Sequence, residues 1–78
     1  MKAAYDIQNR RCELLEVWVE PWCHPYRVPR DSVLRLSYVA TKHPLITEFT
    51  LDGIVVWTNS RQEPSAELDG VTIAPDFS

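Results

Sequence analysis

The sequence predicts an all-β fold, a small single-domain antiparallel β-sandwich or partly open barrel of about seven short strands over residues 1–78. Three observations lead there. Apolar residues alternate with polar ones in several segments, and helical spacing fits none of them as well. Turn residues recur roughly every 8 to 12 positions, the spacing of small sandwiches and barrels. Both glycines follow Leu-Asp and precede Ile or Val, a context that reads as a tight hairpin turn.

Residues 3–8 form a first mixed segment, and "NRRC" at 9–12 reads as a turn. In "ELLEVWVE", 13–20, Leu15, Val17 and Val19 point one way and Leu14, Glu16, Trp18 and Glu20 the other, the mark of a half-buried strand. Pro21 and Pro25 interrupt it around "WCH", because proline donates no ladder hydrogen bond and belongs at an edge, a bulge or a strand start. "YRV" then runs into "PRDS", where Pro29 suits the second position of a turn and Asp31 and Ser32 bond local backbone. In "SVLRLSYVA", Leu34, Leu36, Tyr38 and Ala40 share one face and Val33, Arg35, Ser37 and Val39 the other.

After the connection "TKHP", the segment "LITEFTLDGIVVWT" predicts a hairpin with Asp52-Gly53 as a two-residue type I′ turn. That register sets Leu51 opposite Ile54, Phe49 opposite Val56 and Thr47 opposite Thr58, with Glu48 and Trp57 meeting on the other face. The polar loop "NSRQEPS" leads to "AELDGVTIAP", with Asp69-Gly70 as a second such turn. Residues 1–2 and 75–78 are expected to fray.

A chain of 78 residues is one domain, and a domain of that size buries only about 60% of its unfolded surface, which leaves little depth for an active site. The net charge of -3 argues against nucleic acid as a partner, since that binding rests on clustered Lys and Arg; the pair Arg10-Arg11 reads as a solvated turn. The first residues, broken by Asp6, Arg10, Arg11 and Glu13, do not read as a signal peptide, and no segment approaches the roughly 18 apolar residues of a membrane span. The expected setting is therefore the cytoplasm, without a membrane partner. There Cys12 and Cys23 are expected to stay reduced as small buried residues rather than to form a bridge.

The stretch "EVWVEPWCHPYRVPRDSVLRL", 16–36, concentrates the candidate site residues. Cys23 and His24 are adjacent, but a strand sends neighbours to opposite faces, and no paired C-x2-C or H-x3-H spacing supports a metal; neither metal nor cofactor is expected. Glu16, Glu20, His24, Asp31, Ser32, Ser37 and His43 are the residues with catalytic chemistry, yet no nucleophile elbow, phosphate-cradling loop or paired-carboxylate motif frames them. The expectation is accordingly a binding or assembly module that presents Glu20, Trp22, His24, Tyr26 and Arg27 to a protein partner or small ligand. Glu48 and Trp57 form a second patch. A small-molecule binder or enzyme using His24 and Glu20 as an acid/base pair is the alternative. An exposed edge strand also offers itself for pairing with a second copy of the chain as a homodimer.

The order "P…YRVPRDSVLRL" followed by "TLDGIVVWTN" resembles the edge and entry strands of cupredoxin-like and cupin-like sandwiches. Copper-binding members carry a late Cys-x-His-x-Met cluster; no Cys, His or Met follows Gly53, so the resemblance implies the sandwich without the metal. The chain also resembles a group of small bacterial proteins that share an early I-x-N (Ile7, Asn9), an EPW…Y-x-V-P segment (Glu20, Pro21, Trp22, Tyr26, Val28, Pro29) and a DG…VW hairpin (Asp52, Gly53, Val56, Trp57). Those proteins commonly carry Gly two residues after the last proline, where this chain has Asp31. This resemblance implies architecture and names no substrate.

Overall fold

In the computed structural model, which describes residues 1–78, the alternating segments become eight strands and no helix forms. They are β1 (Lys2–Gln8), β2 (Leu14–Glu20), β3 (His24–Pro29), β4 (Val33–Val39), β5 (Ile46–Phe49), β6 (Gly53–Trp57), β7 (Ser65–Leu68) and β8 (Val71–Ile73). They make two four-stranded sheets, ordered β1-β4-β7-β8 and β3-β2-β6-β5. The fold is therefore a sandwich rather than a barrel. With no helix present, none is long and apolar enough to cross a membrane.

Alternation sends one set of residues from each sheet inward. The first sheet contributes Ile7, Leu34, Leu36 and Ala66, and the second Val17, Val19, Tyr26, Val28 and Val56, all buried in one cluster. At its rim Thr47 Oγ1 on β5 donates to the Tyr5 hydroxyl on β1 at 3.0 Å, tying the two sheets along one side. The arrangement departs from a purely antiparallel sandwich at one ladder: β2 and β6 run parallel, with Val17 beside Ile54 and Val19 beside Val56. Parallel neighbours need a crossover, and β3, β4 and β5 supply it.

The first loop is organised by Asn9, which is 3% exposed. Its amide nitrogen donates to the Cys12 carbonyl at 2.9 Å and the Val28 carbonyl at 2.8 Å, and its Oδ1 accepts from the backbone N–H groups of Arg11 and Cys12. Its own backbone accepts from Asp31 N and donates to Ser32 O. One side chain thus joins the β1–β2 loop to β3, and its main chain reaches the β3–β4 turn.

In that turn Ser32 N donates to Pro29 O at 3.1 Å, so Pro29 occupies the first position rather than the expected second. Arg30 and Asp31 are central, and Asp31 has φ +66°. Asp tolerates that left-handed conformation, which glycine adopts freely.

The β7–β8 turn has the expected form, with Leu68 opposite Val71 and positive φ at both Asp69 and Gly70. The β5–β6 turn does not. Phe49 pairs with Ile54 and Thr47 with Val56, and the turn is centred on Leu51-Asp52, held by Thr50, whose Oγ1 accepts from the N–H groups of Asp52 and Gly53. Gly53 is required elsewhere: a Cβ on it would lie 2.1 Å from the Glu16 carbonyl oxygen, where β6 enters beside β2.

Candidate functional site

The outward face of the second sheet collects the aromatic and charged residues. β2 presents Glu16, Trp18 and Glu20, and the parallel ladder places Val55 beside Trp18 and Trp57 beside Glu20. β5 continues the rows with Glu48 and Ile46, and β3 adds Arg27 beside Glu16 and Pro25 beside Trp18. Val55 and Trp57 are half-buried, Ile46 is exposed, and Trp18 is 36% exposed. No strand or helix covers this face; only the C-terminal segment lies along its β3 side, where Pro25 is buried.

Both tryptophans are fixed in the same way. The Trp18 indole N–H donates to Glu16 Oε1, and the Trp57 indole N–H donates to Glu48 Oε1 across the hairpin. The expected meeting of Glu48 and Trp57 is thus present, as a diagonal contact rather than a directly opposed pair. Arg27 is held by the C-terminal segment, its guanidinium reaching Asp76 Oδ2 at 3.4 Å and the Ser78 carbonyl at 2.9 Å. Asp76 N also donates to Pro25 O at 2.8 Å, so residues 76–78 lie against β3 rather than fraying. A shallow depression of about 110 Å³ lies there between Trp18, Pro25 and Arg27 on one side and Asp76 and Phe77 on the other.

The cluster expected at 20–27 is divided by the strand it lies on. Glu20 and Arg27 reach the outer face, whereas His24 and Tyr26 share the inner side with their partners Val19 and Val17. Tyr26 is 3% exposed and belongs to the core, where burial, followed by the charge of Glu63, pushes its phenol pKa up. Trp22 lies half-buried in the turn between β2 and β3, outside the core cluster.

His24 Nδ1 is 2.9 Å from Glu63 Oε1 and its ring meets Phe77 edge-on, while Glu20 Oε2 accepts from Cys23 Sγ at 3.7 Å. His24 and Glu20 therefore form no acid/base pair. That thiol is exposed, contrary to the expected burial, and the hydrogen bond to Glu20 followed by its charge raises the thiol pKa. Cys12 is also a free thiol, and no group of three or more His, Cys, Asp or Glu side chains converges as a metal site.

A second concavity, about 480 Å³ and wide open, lies between the β1–β2 loop and the β5–β6 turn, with Arg10, Arg11, Leu14, Phe49, Leu51 and Asp52 in its lining. Phe49 and Leu51 are 83% and 106% exposed, so they pack on neither wall. The sequence pattern already set Glu16, Trp18 and Glu20 on one face; Val55 and Ile46 join them through pairings that no local pattern shows. No family model, curated relative or solved structure matches this chain.

Proposed function

We propose that this protein is a binding module that receives a basic, partly apolar protein segment on the outer face of its second sheet. The observation that carries the reading is the pair Trp18 and Trp57, standing on a sheet face that no strand or helix covers, with each indole N–H fixed by a glutamate. Fixed rings lose little conformational freedom on binding, and tryptophan is among the residues most enriched where binding energy concentrates. Glu16, Glu20 and Glu48 give the face negative charge, and Asp76 offsets the one nearby cation, Arg27. A Lys or Arg of the partner gains both the carboxylates and the face of an indole ring. Val55 and Ile46 between and beside the rings take aliphatic side chains. The unpaired Cys12 and Cys23 accord with a reducing cytoplasmic setting.

Panning a random decapeptide display library on the immobilised domain tests this. The expected result is enrichment of sequences that combine Arg or Lys with aliphatic residues. Their affinity should fall about tenfold or more in Trp18→Ala or Trp57→Ala and weaken with salt. Acidic winners, or basic winners indifferent to both substitutions, would sink the reading.

A further inference from the structure

The two lateral sides of the sandwich are protected very differently. On one side lies β3, an edge strand of the second sheet. The bond from Arg30 N to Glu13 O fixes the phase of its ladder with β2, so Pro25, Arg27 and Pro29 direct their backbone outward. Two of those three have no N–H to offer, and the Pro25 carbonyl is already taken by Asp76 N. Pro29 O accepts from Ser32 N, so of these three residues only Arg27 keeps a free N–H and C=O for another strand. On the same side β8 has three residues, Val71–Ile73, and only Thr72 faces outward.

On the other side lies β1, seven residues without a proline. The bonds Asn9 N to Ser32 O and Ala40 N to Met1 O show that odd-numbered residues exchange hydrogen bonds with β4. Lys2, Ala4, Asp6 and Gln8 consequently aim their N–H and C=O groups away from it, and no strand pairs with them. The neighbouring edge, β5, is four residues long and shows only Thr47 and Phe49 outward.

We propose that β1 is a self-association edge: two copies pair their β1 strands antiparallel about a two-fold axis at Ala4, joining the first sheets into one continuous eight-stranded sheet. Charge selects both the occupant and the register. With Ala4 opposite Ala4 of the second copy, Lys2 of each chain falls opposite Asp6 of the other, so the pattern is self-complementary. Moving the register by one hydrogen-bonded step opposes Asp6 to Ala4, and by two sets Asp6 against Asp6. Asp6 is already oriented by Arg35, which holds both its oxygens at 2.8 and 2.9 Å, leaving a fixed carboxylate for the incoming Lys2. Charged residues on an edge ordinarily deter pairing; at this spacing they satisfy one another only in a symmetric dimer.

The test uses the whole chain, by sedimentation velocity over a concentration series together with amide hydrogen exchange. The wild type is expected to sediment as a dimer that dissociates on dilution, with Ala4 and Asp6 amides protected in step with the dimer fraction. Ala3 and Tyr5, bonded to β4, should stay protected throughout. Ala4→Pro removes only an outward N–H and is expected to give a folded monomer. Lys2→Glu replaces attraction by repulsion twice per dimer and should weaken association about tenfold. A chain that stays monomeric at millimolar concentration with Ala4 and Asp6 amides unprotected would overturn the proposal. So would a dimer that tolerates both substitutions; if Ala4→Pro fails to fold, Lys2→Glu and the exchange pattern decide.

Discussion

Replacing Asn9 by alanine should be among the most damaging polar substitutions in this protein. The side chain donates to two carbonyls and accepts from two backbone N–H groups, and Asn9 is 3% exposed. In Asn9→Ala the Cys12 and Arg11 groups lie in a loop that water reaches, but the Val28 carbonyl is buried and loses its partner. An orphaned buried polar group costs about 1–3 kcal/mol, and the lost loop anchoring and small void add to it, for a total of about 3 kcal/mol. A domain this size has roughly 4–12 kcal/mol in all, so the loss is a large fraction of its stability. At roughly 4–8 °C per kcal/mol the thermal midpoint should fall by about 12–24 °C, measured by circular dichroism.

Asn9→Asp sharpens the test. It keeps the acceptor for the loop N–H groups but turns a carboxylate toward two carbonyls. Burial and that repulsion should raise the new group's folded pKa above its unfolded value of about 3.9. The folded state then favours the protonated form, so the deficit relative to wild type should be smallest below that value and grow as pH rises through the folded pKa. A shift under about 3 °C in Asn9→Ala, or a deficit in Asn9→Asp that does not vary with pH, would refute the assignment of Asn9 as the anchor of this end.

Gly53→Ala should destabilise by several kcal/mol, about the range of severe core lesions, because its Cβ would meet the Glu16 carbonyl oxygen. Gly70→Ala, with open space around it and only an unfavourable φ of +86°, should cost about 1 kcal/mol; urea midpoints distinguish the two. Thr58→Val should raise the thermal midpoint, since the Thr58 hydroxyl is buried without a hydrogen-bond partner and the replacement has nearly the same shape. In acid, the hydrogen bonds from Arg35 hold the Asp6 carboxyl below its ordinary range, and those from Val33 N and the Ser32 hydroxyl do the same for Asp69. Depressed folded values mean stability that is present above about pH 4 and lost as pH falls through them. Asp69→Asn, whose amide oxygen still accepts from Val33 N but carries no charge, should lower the urea midpoint at neutral pH and come close to wild type in acid, so that the acid limb flattens.

The outer-face site was half legible. Alternation in 13–20 set Trp18 on the same face as Glu16 and Glu20, and the β5–β6 hairpin placed Trp57 beside Glu48. The same alternation continues through β3 and separates His24 and Tyr26 from Arg27. Reading the prolines as an interruption hid that, although Pro25 lies inside the strand, on an edge where its missing N–H costs nothing.

What the sequence determined by itself is what depends on neighbours along the chain: period-two segments, the Asp69-Gly70 turn, and an edge position for the prolines. Tertiary structure decided the rest. Gly53 looks like a turn residue until β6 lies beside β2, and only then does the Glu16 carbonyl exclude a side chain from it. Asn9 looks like any loop asparagine until β3 brings the Val28 carbonyl within 2.8 Å. His24 finds Glu63 rather than Glu20 because a strand turns alternate side chains to opposite faces and the loop before β7 passes the inner one. Each of these partners is remote in sequence, and such pairings are chosen by the closure of two sheets around one core, a sum of many weak contacts that no short window of sequence contains.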